Sequence, residues 1–427
     1  VKPRVAIIGA GWSGLAAAVE LAGQARVTVF EAGRSPGGRA RQVRAEPLAL
    51  DNGQHILLGA YRECLRLMQR VGVDLDTSLL RLPLAWFQLD GMSMSCPRLP
   101  APWHLLVGLL CARGLSWSQK WCLARALASL SLARWKINGD PSVADWLAAH
   151  EQSDALCAAF WRPLVLSALN TPLEQASMRI FAAVLRDSLG GARADSDLLL
   201  PRRDLSSLFP DPAWLWLAHQ GADLRLGHRV VSITALASGV LVDGELFDAA
   251  IVACAPYHAI ALLNDDNLSK SVKAMQFLPI YTVYLCFDRP PELPHPMVGV
   301  KQGRAHWLFD RDVLCGEAGL VAAVISAPDM ASLPDEAQLV AQVLADLRRI
   351  VPDLPEPCWS RVLADKRATF AARTGMSRPP MRLGVQSLYL AGDWVDSDYP
   401  ATLEGAVRSG VSAAGALMQD LNQKICQ

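Results

Sequence analysis

The sequence predicts an α/β fold: a doubly wound parallel sheet assembled from three separated stretches, with a second α+β domain inserted in two pieces. Three observations carry this. The β-branched run Arg4–Ile8 enters a glycine turn, a helix over 14–24 and a second strand over 27–31. From about residue 82 the texture turns helical and rich in Leu, Ala and Trp, and strand texture returns between 223 and 252. A final strand, turn and helix occupy 387–417. The expected division is 1–81, 200–265 and 371–427 for the nucleotide-binding domain, and 82–199 and 266–370 for the inserted one.

The elements between follow from local signals. Asp90-Gly91 between 85–89 and 92–96 reads as a hairpin. Residues 103–136 read as a long helical stretch rich in Leu, Ala and Trp. Ser142 with Asp145 caps the next helix, and another opens after Asn170-Thr171-Pro172 and runs to about 189. Arg162 before Pro163 marks a helix boundary. Strands are expected over 223–226, 229–233, 240–242 and 246–252, then over 280–287, 306–309 and 320–325, with a helix over 335–350.

Composition narrows the function. With 427 residues, 52% of them hydrophobic, the chain is a globular protein with a large core. Basic and acidic residues balance at 41 each, so no global field points to nucleic acid. None of the ten cysteines forms a C-x-x-C pair, which argues against zinc or a dithiol redox site and for free thiols in a reducing compartment. The N-terminal residues read as a strand rather than a signal peptide, and the apolar stretch 105–112 is too short to span a bilayer. A cytoplasmic setting is expected.

Gly9-Ala10-Gly11-Trp12-Ser13-Gly14 lies between a strand and a helix, where a dinucleotide site needs it. Gly9 permits the tight turn, Gly11 lets backbone approach a pyrophosphate, and Gly14 lets the helix pack close to the strand. Ser13, in the same turn, joins the cofactor-binding set. The helix N-terminus offers N–H groups to phosphate. Glu31 ends the second strand 20 residues after Gly11, placed to accept from a ribose 2′-hydroxyl.

Downstream, Pro36-Gly37-Gly38-Arg39 resembles the G-G-R signature of the amine oxidase and phytoene desaturase flavoprotein superfamily, which has a Rossmann-like, two-dinucleotide-binding-domain fold and binds FAD. The resemblance implies that Gly37 and Gly38 pass the pyrophosphate and that Arg39 contacts it. Asp51-x-Gly53-x-His55 would lie beside the isoalloxazine, and the Val230 amide would reach the adenine edge. Gly392-Asp393-Trp394 matches the second flavin motif, with Asp393 on a ribityl hydroxyl or a phosphate-bound water. Glu404-Gly405-Ala406-Val407 opens a helix whose amides, those of Glu404 and Ala406 included, would face flavin O2 and N1. Relatives with covalent flavin attach it through a cysteine shortly before this motif. Residues 359–394 contain none, so FAD is expected to be non-covalent.

Two longer segments are similar to the bacterial squalene-associated flavoenzymes, the hydroxysqualene dehydroxylase family of hopanoid biosynthesis: Phe160-Trp161-Arg162-Pro163 through Asn170-Thr171-Pro172, and 199–209. The resemblance implies a long apolar isoprenoid substrate, an external electron donor, and replacement of an allylic hydroxyl by hydride from flavin N5. Such chemistry needs an acid, dry walls and π-faces for a delocalised cation. Trp161, Phe370, Trp394 and Tyr399 are the cation-facing candidates, with core packing the competing role of each. His55, Asp51 and Tyr399 are the acid candidates, and the sequence does not choose among them.

Between Gly91 and Gly139 there is no Asp or Glu, but there are six basic residues and four tryptophans. That is the composition of an interfacial helix pair on an anionic membrane, with contact expected over 98–136; a core helix with snorkelling ends competes. Other functions remain open: a carotenoid-type desaturase, an amine oxidase, or a non-catalytic prenyl carrier of the Rab escort type. Gly392-Asp393-Trp394 fits the desaturase branch better than the Gly-Glu form usual in amine oxidases.

Overall fold

The computed structural model describes residues 2–46, 48–331, 333–385 and 387–425. Strand Arg4–Ile8 is buried at four of five positions, which suits the centre of a sheet covered on both faces. It pairs in parallel with Arg26–Glu31 on one side and Ala249–Val252 on the other. Asp223–Leu226 and Leu388–Leu390 complete a five-stranded parallel sheet whose strands come from three distant stretches of chain. Helix Trp12–Leu21 packs against the C-terminal helix Leu403–Ile425. A Cβ on Gly410 would stand 2.1 Å from the Ser13 carbonyl oxygen, so only glycine allows this approach.

The second sheet has seven strands, in the order Trp359–Phe370, Phe277–Cys286, Leu320–Ser326, Trp307–Asp310, Met297–Val300, Ala85–Leu89, Ser93–Ser95. Alternation along Phe277–Cys286 sets its two faces. Tyr281, Val283 and Leu285 pack with Leu339, Val343 and Leu347 of helix Glu336–Arg348. Tyr284, from the opposite face, donates to the Asp51 carbonyl at 3.0 Å. That contact turns this face toward the 51–55 loop.

The helical stretch over 103–136 is the expected pair of helices, Trp103–Cys111 and Trp117–Leu132, while several other elements depart from the sequence reading. Gly114 takes a positive φ, and Ser116 with Gln119 forms a capping box that starts the second helix. The helix expected after Pro172 begins only at Met178, capped by Ser177. Arg229–Ser232 is not a strand: the Val231 and Ser232 amides both donate to Asp243 Oδ1, and pairing starts at Ile233. Arg162-Pro163 does mark a boundary, between two kinds of helix. A π-helical turn, Cys157–Trp161, runs into helix Arg162–Leu169, and Pro163 sits in its first turn, where an N–H is dispensable. The edge strand Trp359–Phe370 escapes sequence reading because its alternation is broken by charges, a common protection of exposed edges.

Candidate active site

The glycine turn is built by steric exclusion. Gly9 has φ +107°, and a Cβ there would lie 3.0 Å from the Ala253 carbonyl oxygen; a Cβ on Gly14 would lie 1.9 Å from the Gly9 carbonyl oxygen. Gly11 bridges to Gly37, whose amide donates to Ala10 O at 2.8 Å, and a Cβ on Gly38 would meet Gly11 Cα at 3.1 Å. The first loop and the Gly37-Gly38-Arg39 loop therefore form one cradle of bare backbone. Ser13 Oγ is buried there with no partner among the described residues. An oxygen-rich ligand at this helix N-terminus would satisfy it, so the cradle fits a dinucleotide. Glu31 accepts from the Ala10 and Gly33 amides at 2.7 and 2.6 Å. His228 N–H donates to Glu31 O at 2.9 Å, bringing buried Val230 and its irregular segment to the same end.

Both ends of the chain meet at this cradle. Arg39 Nη2 lies 2.6 Å from Asp393 Oδ1, and Arg39 Nη1 donates to Ala368 O at 2.6 Å. Asn52 Nδ2 donates to Arg39 O, tying the 51–55 loop to the same arginine. Gly392 N–H donates to Ser409 Oγ at 3.0 Å, and the Trp394 indole N–H to Cys254 O at 3.2 Å.

In the 51–55 loop, His55 Nδ1 is 2.9 Å from Gly53 O. A carbonyl only accepts, so Nδ1 carries the proton and Nε2 is left as an acceptor. Burial, with Arg39 adding, pulls the imidazole below its ordinary range and keeps it neutral. Asp51 is committed elsewhere: its carboxylate accepts from Leu205 N–H at 2.8 Å and from the fully buried Arg311 at 3.1 Å. Burial raises it to about 6 in spite of that cation. Arg311 also reaches both oxygens of Glu317 and Gln54 Oε1.

With this geometry in view, comparison with known proteins is decisive. Residues 12–418 match the family described as flavin containing amine oxidoreductase. The chain is 30% identical over 430 residues to a hydroxysqualene dehydroxylase of Zymomonas mobilis, covering 96% of this chain and 97% of that one. The chain belongs to the flavin-containing amine oxidoreductases, and within them to the hydroxysqualene dehydroxylases. A second such enzyme, from Sinorhizobium fredii, is 28% identical, with 98% and 99% of the two chains covered. Cyclohexylamine oxidase from Brevibacterium oxydans shares the fold, with a TM-score of 0.70 at 18% identity over 99% of this chain and 100% of its own. As a member of this family the chain is an oxidoreductase with FAD as its cofactor.

The remaining candidates in this amine oxidoreductase take varied positions. Trp161 is wholly buried among the helices, donating to Gln152 Oε1 at 3.0 Å and meeting Phe160 and Phe181 edge-on, which is a packing role. Tyr399 donates to Asp187 Oδ2 at 2.9 Å beneath the Arg408 guanidinium, and burial drives its phenol up. The Glu404 carboxylate caps helix Arg62–Arg70 by accepting from the Glu63 and Cys64 amides, and Arg408 Nε lies 2.7 Å from it. The Ala406 amide closes on Thr402 O within the helix turn. Asn170 ends its helix in a left-handed conformation, and its Nδ2 donates to Thr369 Oγ1 and Pro279 O.

Sequence reading missed Arg311 and Arg378. Arg378 is buried, faces the Phe370 ring at 5.0 Å, and donates to the Asp393, Tyr399 and Ser397 carbonyls, pinning the segment after Gly392. Neither arginine stands in a local motif. Arg311 finds Asp51 260 residues away, and Arg378 takes backbone carbonyls that have no sequence signature.

The acid-free helices form a hairpin with an apolar outer face. Trp103, Leu106 and Leu110 of the first, and Trp117, Trp121 and Leu132 of the second, are exposed. Lys120 Nζ donates to Leu110 O at 2.6 Å, a cation on the C-terminus of the first helix that fixes the corner. No helix among the described residues is long and apolar enough to cross a membrane.

Proposed function

We propose that this flavoenzyme removes the hydroxyl of hydroxysqualene reductively, giving squalene, and takes its substrate from a membrane. The single observation that carries the reading is the cradle closed by Arg39 and Asp393 in a chain similar over its whole length to hydroxysqualene dehydroxylases. Reduced FAD, when bound, supplies the hydride. Gly9, Gly11, Ser13, Gly14, Gly37, Gly38, Arg39 and Asp393 would hold it without a covalent bond, and Glu31 and Val230 would serve its adenosine part. An external donor restores its electrons between turnovers.

The chain's own groups do the rest. Of the acid candidates, Asp51 is paired with Arg311 and Tyr399 with Asp187, while His55 Nε2 has no partner among the described residues. His55 is therefore the group we assign to the alcohol oxygen: protonated at Nε2, it would give that proton to the departing hydroxyl, which leaves as water. Buried Phe370 and Trp394 give apolar walls that keep water from a carbocation. The exposed Trp and Leu face of the helical hairpin, flanked by exposed Arg98, Arg113, Arg134 and Lys136, docks on an anionic bilayer, where a water-insoluble chain can enter.

The test is anaerobic turnover. Reduced holoenzyme given hydroxysqualene should yield squalene as the flavin oxidises. Loss of hydrogen from an intact polyene, with bleaching of oxidised flavin, would make it a desaturase. A preparation that stays colourless when offered FAD would make it a prenyl carrier.

A further inference from the structure

Thr282 lies in mid-strand in Phe277–Cys286, 1% exposed, and its hydroxyl has no hydrogen-bond partner among the described residues. A buried hydroxyl without a partner is costly, and a strand position could as well hold valine. By alternation Thr282 shares the face of Tyr284, which reaches the Asp51 carbonyl. It therefore looks at the 51–55 loop. The point where a Cβ on Gly53 would sit is 3.7 Å from Thr282 Oγ1 and 4.0 Å from His55 Cε1, so hydroxyl and imidazole flank the same bare glycine. One brings an O–H donor and the other, with Nδ1 donating to Gly53 O, an Nε2 acceptor that has no partner among the described residues.

We propose that Thr282 and His55 form the subsite for the alcohol oxygen of the substrate, an allylic hydroxyl on an otherwise apolar chain. The inference rests on the functional reading above. Thr282 donates a hydrogen bond to the oxygen, and the substrate's own O–H donates a hydrogen bond to His55 Nε2. An alcohol offers one acceptor and one donor function, and the pair supplies the complement. The hydroxyl is the one polar handle on such a chain, so this pair sets which carbon stands at the reacting position. Thr282 is then a positioning residue, while His55 meets the reacting oxygen.

The experiment compares wild type, T282V and T282S as oxidised holoenzyme, which binds without turning over. Affinities for hydroxysqualene and for squalene are read from the flavin absorbance perturbation. T282V should weaken the alcohol by roughly ten-fold, the scale of one lost hydrogen bond in a dry site, and leave the hydrocarbon unchanged. T282S should bind as wild type. In turnover the T282V defect should lie in KM. The thermal midpoint of T282V should hold or rise, because an apolar isostere replaces an unpaired hydroxyl. A purely structural threonine would give a fall in midpoint and equal losses for both ligands, which overturns the proposal, as does undiminished alcohol preference in T282V. If wild type converts hydroxysqualene yet T282V discriminates equally well, the subsite alone is wrong. If wild type neither converts nor prefers the alcohol, the functional reading falls and the subsite with it.

Discussion

In the dinucleotide-binding half, Trp12 and Trp394 are 3% and 2% exposed, and each indole N–H reaches a backbone carbonyl, of Ala40 and Cys254. In the helical hairpin of the other half, Trp103, Trp117 and Trp121 are 61%, 70% and 70% exposed. The same side chain is thus used in two ways. Around the cradle it fills space and satisfies backbone, so that glycines can hold a fixed shape. On the hairpin it stands with its apolar body outside the core, an arrangement that suits an apolar phase rather than water. One region is built for exact fit and the other for adhesion, and substitutions should separate them by what they cost in stability.

The largest effect is expected where the 51–55 loop is joined to the elements of the second sheet. R311M removes the cation that Asp51 and Glu317 share. A buried carboxylate left without its partner should destabilise the fold by about 3–5 kcal/mol. Asp51 titrates at about 6 when folded, above its ordinary 3.8. Between those values the folded protein holds more protons, so the contribution of this group to stability is full at low pH and is lost as pH rises through about 6. Without Arg311 the carboxyl moves higher still. The deficit of R311M relative to wild type should therefore be larger at pH 8 than at pH 5 in urea unfolding. Equal deficits would mean that Asp51 is not what Arg311 supports.

A smaller effect is expected at the cradle. D393A frees Arg39, whose side chain is 39% exposed, so the stability loss should be only about 1 kcal/mol because solvent screens such a pair. FAD retention should fall much more, on the order of ten-fold in dissociation constant, since the pair joins both ends of the site. Ultrafiltration of the yellow holoenzyme beside its melting temperature separates the two. Stability and flavin falling in step would show that Asp393 merely holds the fold.

The contrast also explains what the sequence discloses. Glycines at Gly9, Gly14, Gly37 and Gly38 are legible because sterics forbid anything else at short range, and their spacing is local. The two halves of the cradle lie at opposite ends of the chain, yet each carries its own strand–turn–helix signature. The hairpin is legible by composition, although its break at Ala112–Ser116 hides behind continuous apolar texture. The 51–55 loop is legible only as a motif. What fixes it, Arg311 to Asp51 and Tyr284 to the Asp51 carbonyl, and what faces it, Thr282, come from strand Phe277–Cys286 and from the helix that follows strand Trp307–Asp310, through long-range pairing. Periodicity marks Thr282 as strand; only pairing of the strand shows that its hydroxyl has no partner.

The smallest effect on stability is expected on the hairpin. Replacing Trp103, Trp117 and Trp121 together by serine touches side chains that are mostly in solvent, so unfolding should shift by no more than about 0.5 kcal/mol per site. A buried tryptophan such as Trp161 would lose about 3–5 kcal/mol on truncation to alanine. Flotation with phosphatidylglycerol vesicles should respond the other way: the triple variant should stay with the soluble fraction while wild type floats. Binding by wild type should weaken with salt, because exposed Arg98, Arg113, Arg134 and Lys136 meet the anionic surface without nearby acids in sequence. Turnover of hydroxysqualene presented in vesicles should drop in the triple variant, and turnover of detergent-dispersed substrate should not. If the variant floats as well as wild type, the exposed face is not what meets the lipid. If it loses stability like a core variant, those tryptophans belong with Trp12 and Trp394, and the distinction between the two regions disappears.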